Sequence, residues 1–402
     1  MTLKNHEEER KKMAKAKTTI GKVRAKFVEL YSRIIKVDEN KDGSVYWNGE
    51  NNLYPNEIER VILNSPTASR ASKVMAKFIS GLGVGVNNEI VNPERNIKLT
   101  DLIKAGAHDI SKQNGVFFHV GYYVDEELSL RPSLSVLDYN KVRKAKEDDN
   151  GYDTKFIYKD YSEVKGFGAK KEEEIWYYPF SNDENVTIEQ IKADYFEEND
   201  DENATLADML PYYRGQVYYL NLTPQYKYAL SPFDSVYNDM DFEFRIGMYL
   251  NRQVRCGFLG KTYVVASGFD EEDEKRLAED MSKWLGSDNV GGVHFMSVPQ
   301  GVDIDKAFKV GQVKAELDEK MFEKTIINSR DNILGAANNI PSQLVKSDDT
   351  LFGVNSDSYI EMKKFYTEQT EEERSSLEQA ITYLGYPCKI IPIEDESTTI
   401  SI

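Results

Sequence analysis

Residues 313–385 constrain this chain more than any other stretch, because they call for helical partners that the stretch does not itself contain. A charged helix is expected to end near Leu334-Gly335. A polar loop follows through Asn338-Asn339-Ile340-Pro341, and a second, longer helix begins beyond it. Leu317, Met321 and Ile333-Leu334 give the first helix a narrow apolar stripe, while Lys and Glu fill its other faces. The second helix has a start signal in Ser358-Tyr-Ile-Glu361, a capping box, and a stop at Gly385 with Pro387 just beyond. Neither stripe looks wide enough to bury in the core of one copy. Helices of this kind pack side by side against copies of themselves or against other long helices.

At 402 residues the chain has room for two or three domains and a sizeable core. Its net charge of −17 and pI of 4.9 give it no general attraction to phosphate backbones. No apolar run reaches the roughly 18 residues of a membrane span, and the first residues lack the apolar core of a signal peptide. Cys256 and Cys388 are too few for a disulfide framework or a zinc site. The expectation is a soluble intracellular protein, or part of a particle assembled inside a cell. The 25 tyrosines suit wet interfaces, where rings pack and hydroxyls reach water.

The charge is unevenly spread. Residues 1–37 hold eleven Lys/Arg against four Glu, a balance of +7, so the remainder carries −24. Ile20, Val23, Phe27, Leu30, Tyr31 and Ile34 recur at helical spacing, which predicts a basic amphipathic helix from Thr19 to Val37. Three readings stand: a membrane-surface or nucleic-acid arm, a peg into an acidic neighbouring subunit, or a solvated tail. Asp38-Glu-Asn40-Lys-Asp42-Gly43 begins like a calcium loop, but its twelfth position is Gly49, not a bidentate carboxylate. It reads as a polar turn, followed by a strand and turn at Tyr46-Trp47.

Beyond Asn51, Pro55-Asn56 opens a short helix, and Pro66 to Ile79 forms a second with Val74, Met75, Phe78 and Ile79 on its buried face. Gly81, Gly83 and Gly85 follow a helix, with no Lys-Ser/Thr after them, so they read as a stop and a turn and not as a phosphate loop. Strands are expected at 116–120, 122–124, 134–136, 156–158, 175–178 and 217–222. Lys146–Gly151 and Asn182–Asn185 read as loops, and Glu197–Glu202 as a solvated acidic run without ligand spacing. From Ser231 the pattern is helical. Acidic Asp234, Asp239, Asp241 and Glu243 precede Arg245, Arg252 and Arg255, an order that complements the helix dipole. A compact unit comes next: a strand at 259–266, a helix at 270–285 burying Leu277, Met281 and Trp284, and strands at 293–298 and 302–310. A small strand–helix–strand module thus lies between two long helices.

That order of elements resembles the portal proteins of tailed bacteriophages, the head-to-tail connector rings of the capsid. The resemblance spans roughly 45–385. It rests on the Asn64-Ser-Pro66 helix pair, the Gly115-Val-Phe-Phe strand and the Leu134-Ser-Val-Leu-Asp138 segment. Further on, it rests on Ala229-Leu-Ser-Pro-Phe233 before a stem-like helix, the Trp284…Gly291-Gly module, and the Gly335…Ile340-Pro341 loop. It implies an α+β, portal-like chain: a basic arm (1–44), a mixed wing (45–231), stem helices (232–254 and 313–335) and an inserted α/β clip (255–312). A tunnel loop (336–355) and a long wing helix (356–385) complete the pattern. The tail at 386–402 is too short for a large helical crown, so the crown is expected to be minimal or absent.

The resemblance further implies a homo-oligomeric ring, typically dodecameric, at one capsid vertex of a virion assembled in the host cytoplasm. Its partners would be the packaging terminase, head-completion or adaptor proteins, major capsid and scaffold proteins, and the double-stranded DNA that passes without sequence-specific reading. No membrane, cofactor or metal is expected. Candidate positions are Asn339, Gln343 and Lys346 for DNA in the tunnel loop, and Phe244, Met248, Leu317 and Met321 for contacts between stems. Lys261, Tyr263 and Trp284 are the candidates for partner binding on the clip, although Trp284 equally suits the clip's own core. Lys346 equally suits a local pair with Asp348 or Asp349. An acidic conduit repels the duplex and keeps it off the wall, because affinity for DNA grows with the phosphates that Lys and Arg neutralise. His6, His108, His119 and His294 are scattered and nothing pairs them with a nucleophile, so no catalytic residue is assigned. The alternative is another non-catalytic phage assembly protein, a scaffold or an adaptor.

Overall fold

The structure, a computed structural model, describes residues 45–393 apart from 86–87, 126, 128, 162–173, 256–262, 268–293, 299–318 and 346–355. It opens with the helices α1 (Tyr54–Asn64) and α2 (Pro66–Ser80). Ser65 separates them because its extended backbone ends one helix, and its side chain accepts the Ala68 N–H at 3.1 Å to start the next. Pro66 costs nothing at a first helical position, where its missing N–H has no partner to lose. Ile58, Val61 and Ile62 of α1 and Ala68, Ala71, Met75, Phe78 and Ile79 of α2 enter the main core. The expected stop is present: Gly81 lies at φ +53, and a Cβ there would meet the Ile391 carbonyl oxygen at 2.1 Å.

Short strands β1 (Ile90–Asn92) and β2 (Ile97–Lys98) lead into α3 (Leu99–Gln113), closed by left-handed Asn114. Next come β3 (Gly115–Val124), β4 (Leu130–Val136), β5 (Val142–Lys144), β6 (Phe156–Tyr158) and β7 (Ile175–Pro179). The helices α4 (Glu184–Phe196) and α5 (Leu206–Met209) then precede β8 (Gln216–Asn221). These strands form one six-stranded sheet in the order β4-β3-β8-β7-β6-β5, antiparallel except for the β7–β8 pair. Along β3 the side chains alternate between two cores. Val116, Phe118 and Val120 join the helices, while Phe117 joins Tyr139, Val142, Phe156, Val217 and Tyr228 on the opposite face. A strand covered on both faces is a continuous apolar run, which is why this segment stands out in the sequence.

Polar groups hold the helices to the sheet. Glu59 of α1 accepts from Lys112 Nζ of α3 at 2.6 Å and from Asn140 Nδ2, in a 3-10 turn, at 2.6 Å. Burial pulls its pKa up, but these two donors outweigh burial and hold it below the usual carboxylate value. Asp109, on the same side of α3, has a buried Oδ2 without a hydrogen-bond partner among the described residues. Burial pushes its pKa up to about 8, against the pull of Lys112.

The chain continues through α6 (Tyr237–Arg255), β9 (Tyr263–Ser267), β10 (His294–Val298) and α7 (Glu319–Ala336). After α7 come the one-turn α8 (Ser342–Val345), then α9 (Ser356–Gln369) and α10 (Glu371–Tyr383). The strands β9 and β10 pair in parallel, from Tyr263↔His294 to Ser267↔Val298, as a strand–helix–strand unit requires. The expected helix at 270–285 and strand at 302–310 lie outside the described residues, as do the basic arm at 1–44 and residues 394–402.

Four expectations need correction. The single helix expected at 356–385 is two, because backbone continuity fails at Thr370 (φ −106, ψ 13), whose buried hydroxyl donates to the Tyr366 and Thr367 carbonyls. Its start is Ser356, so Ser358 and Glu361 sit inside the first turns and not in a capping box. Nor are these helices too narrow to bury in one copy: Ile333, Leu334, Tyr366, Leu377, Ala380 and Ile381 all lie in the main core. Asn182–Asn185, expected as loop, contains the start of α4, with Asp183 accepting the Asn185 N–H at 2.9 Å.

Candidate functional site: the root of the paired helices

The helices α6 and α7 lie side by side. Arg330 Nε approaches Glu243 Oε1 at 3.5 Å, and Asn332 Nδ2 reaches Asp239 at 3.4 Å. The lower-numbered residue of α6 meets the higher-numbered residue of α7, so the pair is antiparallel. At one end both are rooted in the main core: Met240 of α6 and Ile333, Leu334 and neighbouring Ala337 share it with α2.

Glu243 joins three helices at that root. Its buried carboxylate accepts the Ser65 hydroxyl at 2.5 Å, the Thr67 N–H at 3.1 Å and the Thr67 hydroxyl at 2.6 Å, all at the N-terminus of α2. Its position suits the charge, because the first amides of a helix and its dipole both favour an anion. The Ser65-Pro66 signal is legible in the sequence, but the capping carboxylate lies 178 residues from Ser65, where no local pattern points to it.

The root of the expected tunnel loop is equally built. Asn338 and Asn339 are both left-handed, with φ of +56 and +53, and turn the chain sharply after α7. The Ile340 N–H reaches the Leu334 carbonyl at 3.1 Å, closing the helix end. Asn338 Nδ2 donates to the Gln369 carbonyl at 3.1 Å and to Glu373 Oε1 at 2.7 Å, while Tyr366 donates to the Ala337 carbonyl at 3.0 Å. Burial raises the pKa of Glu373 despite the bond from Asn338. The Asn338 turn thus packs against the α9–α10 break, where Thr370 is buried.

Among the DNA candidates, Asn339 is exposed at this turn. Gln343 sits half-buried in α8, where Leu344 and Val345 pack on the core. Gln343 therefore belongs to the anchored base and not to a free loop, and Lys346 lies outside the described residues. Of the stem candidates, Phe244 is half-buried and Met248 is exposed. Met321 lies in α7, and Leu317 falls outside the described residues. Tyr263 is the first residue of β9, whereas Lys261 and Trp284 lie outside the described residues.

Toward the end of α6 remote from that core, Met248, Tyr249 and Leu250 are 38, 41 and 52% exposed. Three consecutive residues span about 200° of a helix, so apolar surface faces outward over more than half its circumference. Ile327 of α7 is exposed too. His119, on β3, is a satisfied histidine: its Nε2 lies 3.0 Å from the Arg214 carbonyl, its ring stands edge-on to Tyr177, and burial lowers its pKa. No group of three or more His, Cys, Asp or Glu suited to a metal occurs among the described residues. No helix among them is long and apolar enough to cross a membrane.

No protein-family model matches this sequence, and no curated protein does. Among solved structures, the chain is similar to one from the virion of a native gene transfer agent particle, at 16% identity and a TM-score of 0.42, covering 86% of this chain and 84% of that one. A chain from the neck of the native particle, computed with C12 symmetry, gives 15% and 0.44 over 89% and 87%. One from the neck of the empty particle, computed with C6 symmetry, gives 15% and 0.42 over 86% of each. Likeness this distant leaves function to be read from this chain's own residues.

Proposed function

We propose that this chain is the portal subunit of a phage-like particle, a ring-forming structural protein with no catalytic role. The observation that carries the reading is the antiparallel α6–α7 pair. It is fastened to the wing by Met240, Glu243, Ile333 and Leu334 at one end and presents exposed Met248, Tyr249 and Leu250 beyond. These side chains are already about half buried, so covering them between neighbouring copies gains about 1 kcal/mol each, and a ring lets every copy bury both flanks. The ring then encloses a channel for double-stranded DNA, its axial contacts carried by the loop that starts at Asn338-Asn339. The module at β9 and β10 is the docking site for the packaging motor and for head-completion proteins.

Electron microscopy of the purified full-length protein tests this: rings with a central channel are expected. The paired variant Met248→Asp with Leu250→Asp places charges in the seam. It should retain the wild-type circular dichroism and sediment as monomer or small oligomer. Rings that persist in the double variant would remove α6 from the subunit contact, and a protein that never forms rings would overturn the portal reading.

A further inference from the structure

Because β7 and β8 run parallel, the chain must cross over between them, and residues 183–214 make that crossing as a lobe with its own small core of Ile191, Tyr195 and Met209. Tyr195 stands edge-on to both Phe196 and Tyr212, with ring centroids 5.4 Å apart in each pair. The two outer rings are each 44% exposed. They lie in a strongly acidic setting: residues 183–214 hold ten Asp/Glu against Lys192 and Arg214, a balance of −8. Asp194 and Glu197 are engaged by Arg214, whereas the exposed Glu198, Asp200 and Glu202 face solvent. Exposed aromatic rings flanked by uncommitted carboxylates fit a partner that is basic and amphipathic.

The chain encodes such a partner in residues 1–37, with their balance of +7 and with Phe27, Leu30, Tyr31 and Ile34 at helical spacing. We propose that the lobe at 183–214 is the docking surface for the basic arm of a second copy of this chain. Two complementary surfaces on one chain make a head-to-tail contact, the kind that closes into a ring. The proposal therefore rests on the ring reading and adds a contact to it. A modest arm–lobe affinity suffices, because copies already held by their stems supply a high effective concentration. Opposite charge also speeds the encounter and makes it salt-dependent.

The test uses the full-length chain with a benzophenone amino acid in place of Phe196, assembled from equal parts of light and nitrogen-15-labelled protein. Irradiation should join position 196 to residues 19–37, in products that pair light with heavy copies. Products confined to one isotope, products with any other segment, or no product would each overturn the proposal. Charge reversal supplies an independent reading. Arg24→Glu with Lys26→Glu and Arg33→Glu should lower the crosslink yield about tenfold, as should Glu198→Lys with Asp200→Lys and Glu202→Lys, while both sets in one chain restore it. Failure of that rescue would also overturn it. Rings that form without the crosslink would defeat the docking proposal alone, whereas a chain that stays monomeric would defeat the ring reading as well.

Discussion

A buried carboxyl group beside a lysine makes this fold sensitive to pH. Asp109 is raised from an ordinary value of 3.8 to about 8 because burial outweighs the attraction of Lys112. The folded state therefore keeps a proton that the unfolded chain has released. The resulting stability is complete below about pH 4 and is lost as pH rises toward 8. Asp109→Asn imitates the protonated group at every pH. The variant should match the native protein near pH 4 and exceed it by about 5 kcal/mol at pH 8, as read from urea unfolding midpoints. Two parallel pH profiles would assign the dependence to another group. Nothing in the local sequence distinguishes Asp109 from the exposed Asp101 on the same helix. Its environment is set by Glu59 and Asp138, residues far away along the chain.

At the scale of elements, α6, α7 and α2 depend on one carboxylate. Glu243→Ala removes the acceptor for three donors at the start of α2 and should cost about 2–4 kcal/mol in urea unfolding, with Glu243→Gln recovering part of it. A loss below about 0.5 kcal/mol would show that water replaces the carboxylate freely. The sequence displays elements in proportion to how far their burial is apolar. The strands at 115–124, 156–158 and 175–179 lie where alternation and apolar runs predict them. The helix α3 is legible too, since Leu99, Leu102, Ile103, Ala107 and Ile110 trace one face, although strand-rich neighbours draw attention from it. The helix α4 is hidden for a physical reason. Its buried face is Thr187, Ile191, Asp194 and Tyr195, half of it polar. Thr187 is satisfied by Gln216, and Asp194 by Tyr178 and Arg214, partners that hydropathy cannot register. The Thr370 break is obscured likewise, because the Gln369 carbonyl beside it is met by Asn338, a partner from another element that the local pattern does not show.

For the whole molecule, stability is graded by core size. The main cluster unites α1, α2, α3, β3, α7 and α10, whereas the 183–214 lobe closes on three buried residues. Amide hydrogen exchange should therefore open α4 well before α3 and β3, by about tenfold or more in protection. Equal protection would mean that the lobe unfolds only together with the main core. The antiparallel pairing of α6 with α7 has a separate bearing on how such a chain can be altered. Arg255 and Glu319 lie at the same end of the pair, so the two helices form a frame open at that end, and a change in the number of residues between them should leave the register of the six-stranded sheet as it is. A foreign domain grafted there would hang from the frame like a pendant on a clasp, leaving Glu243 and the Asn338 turn where they are.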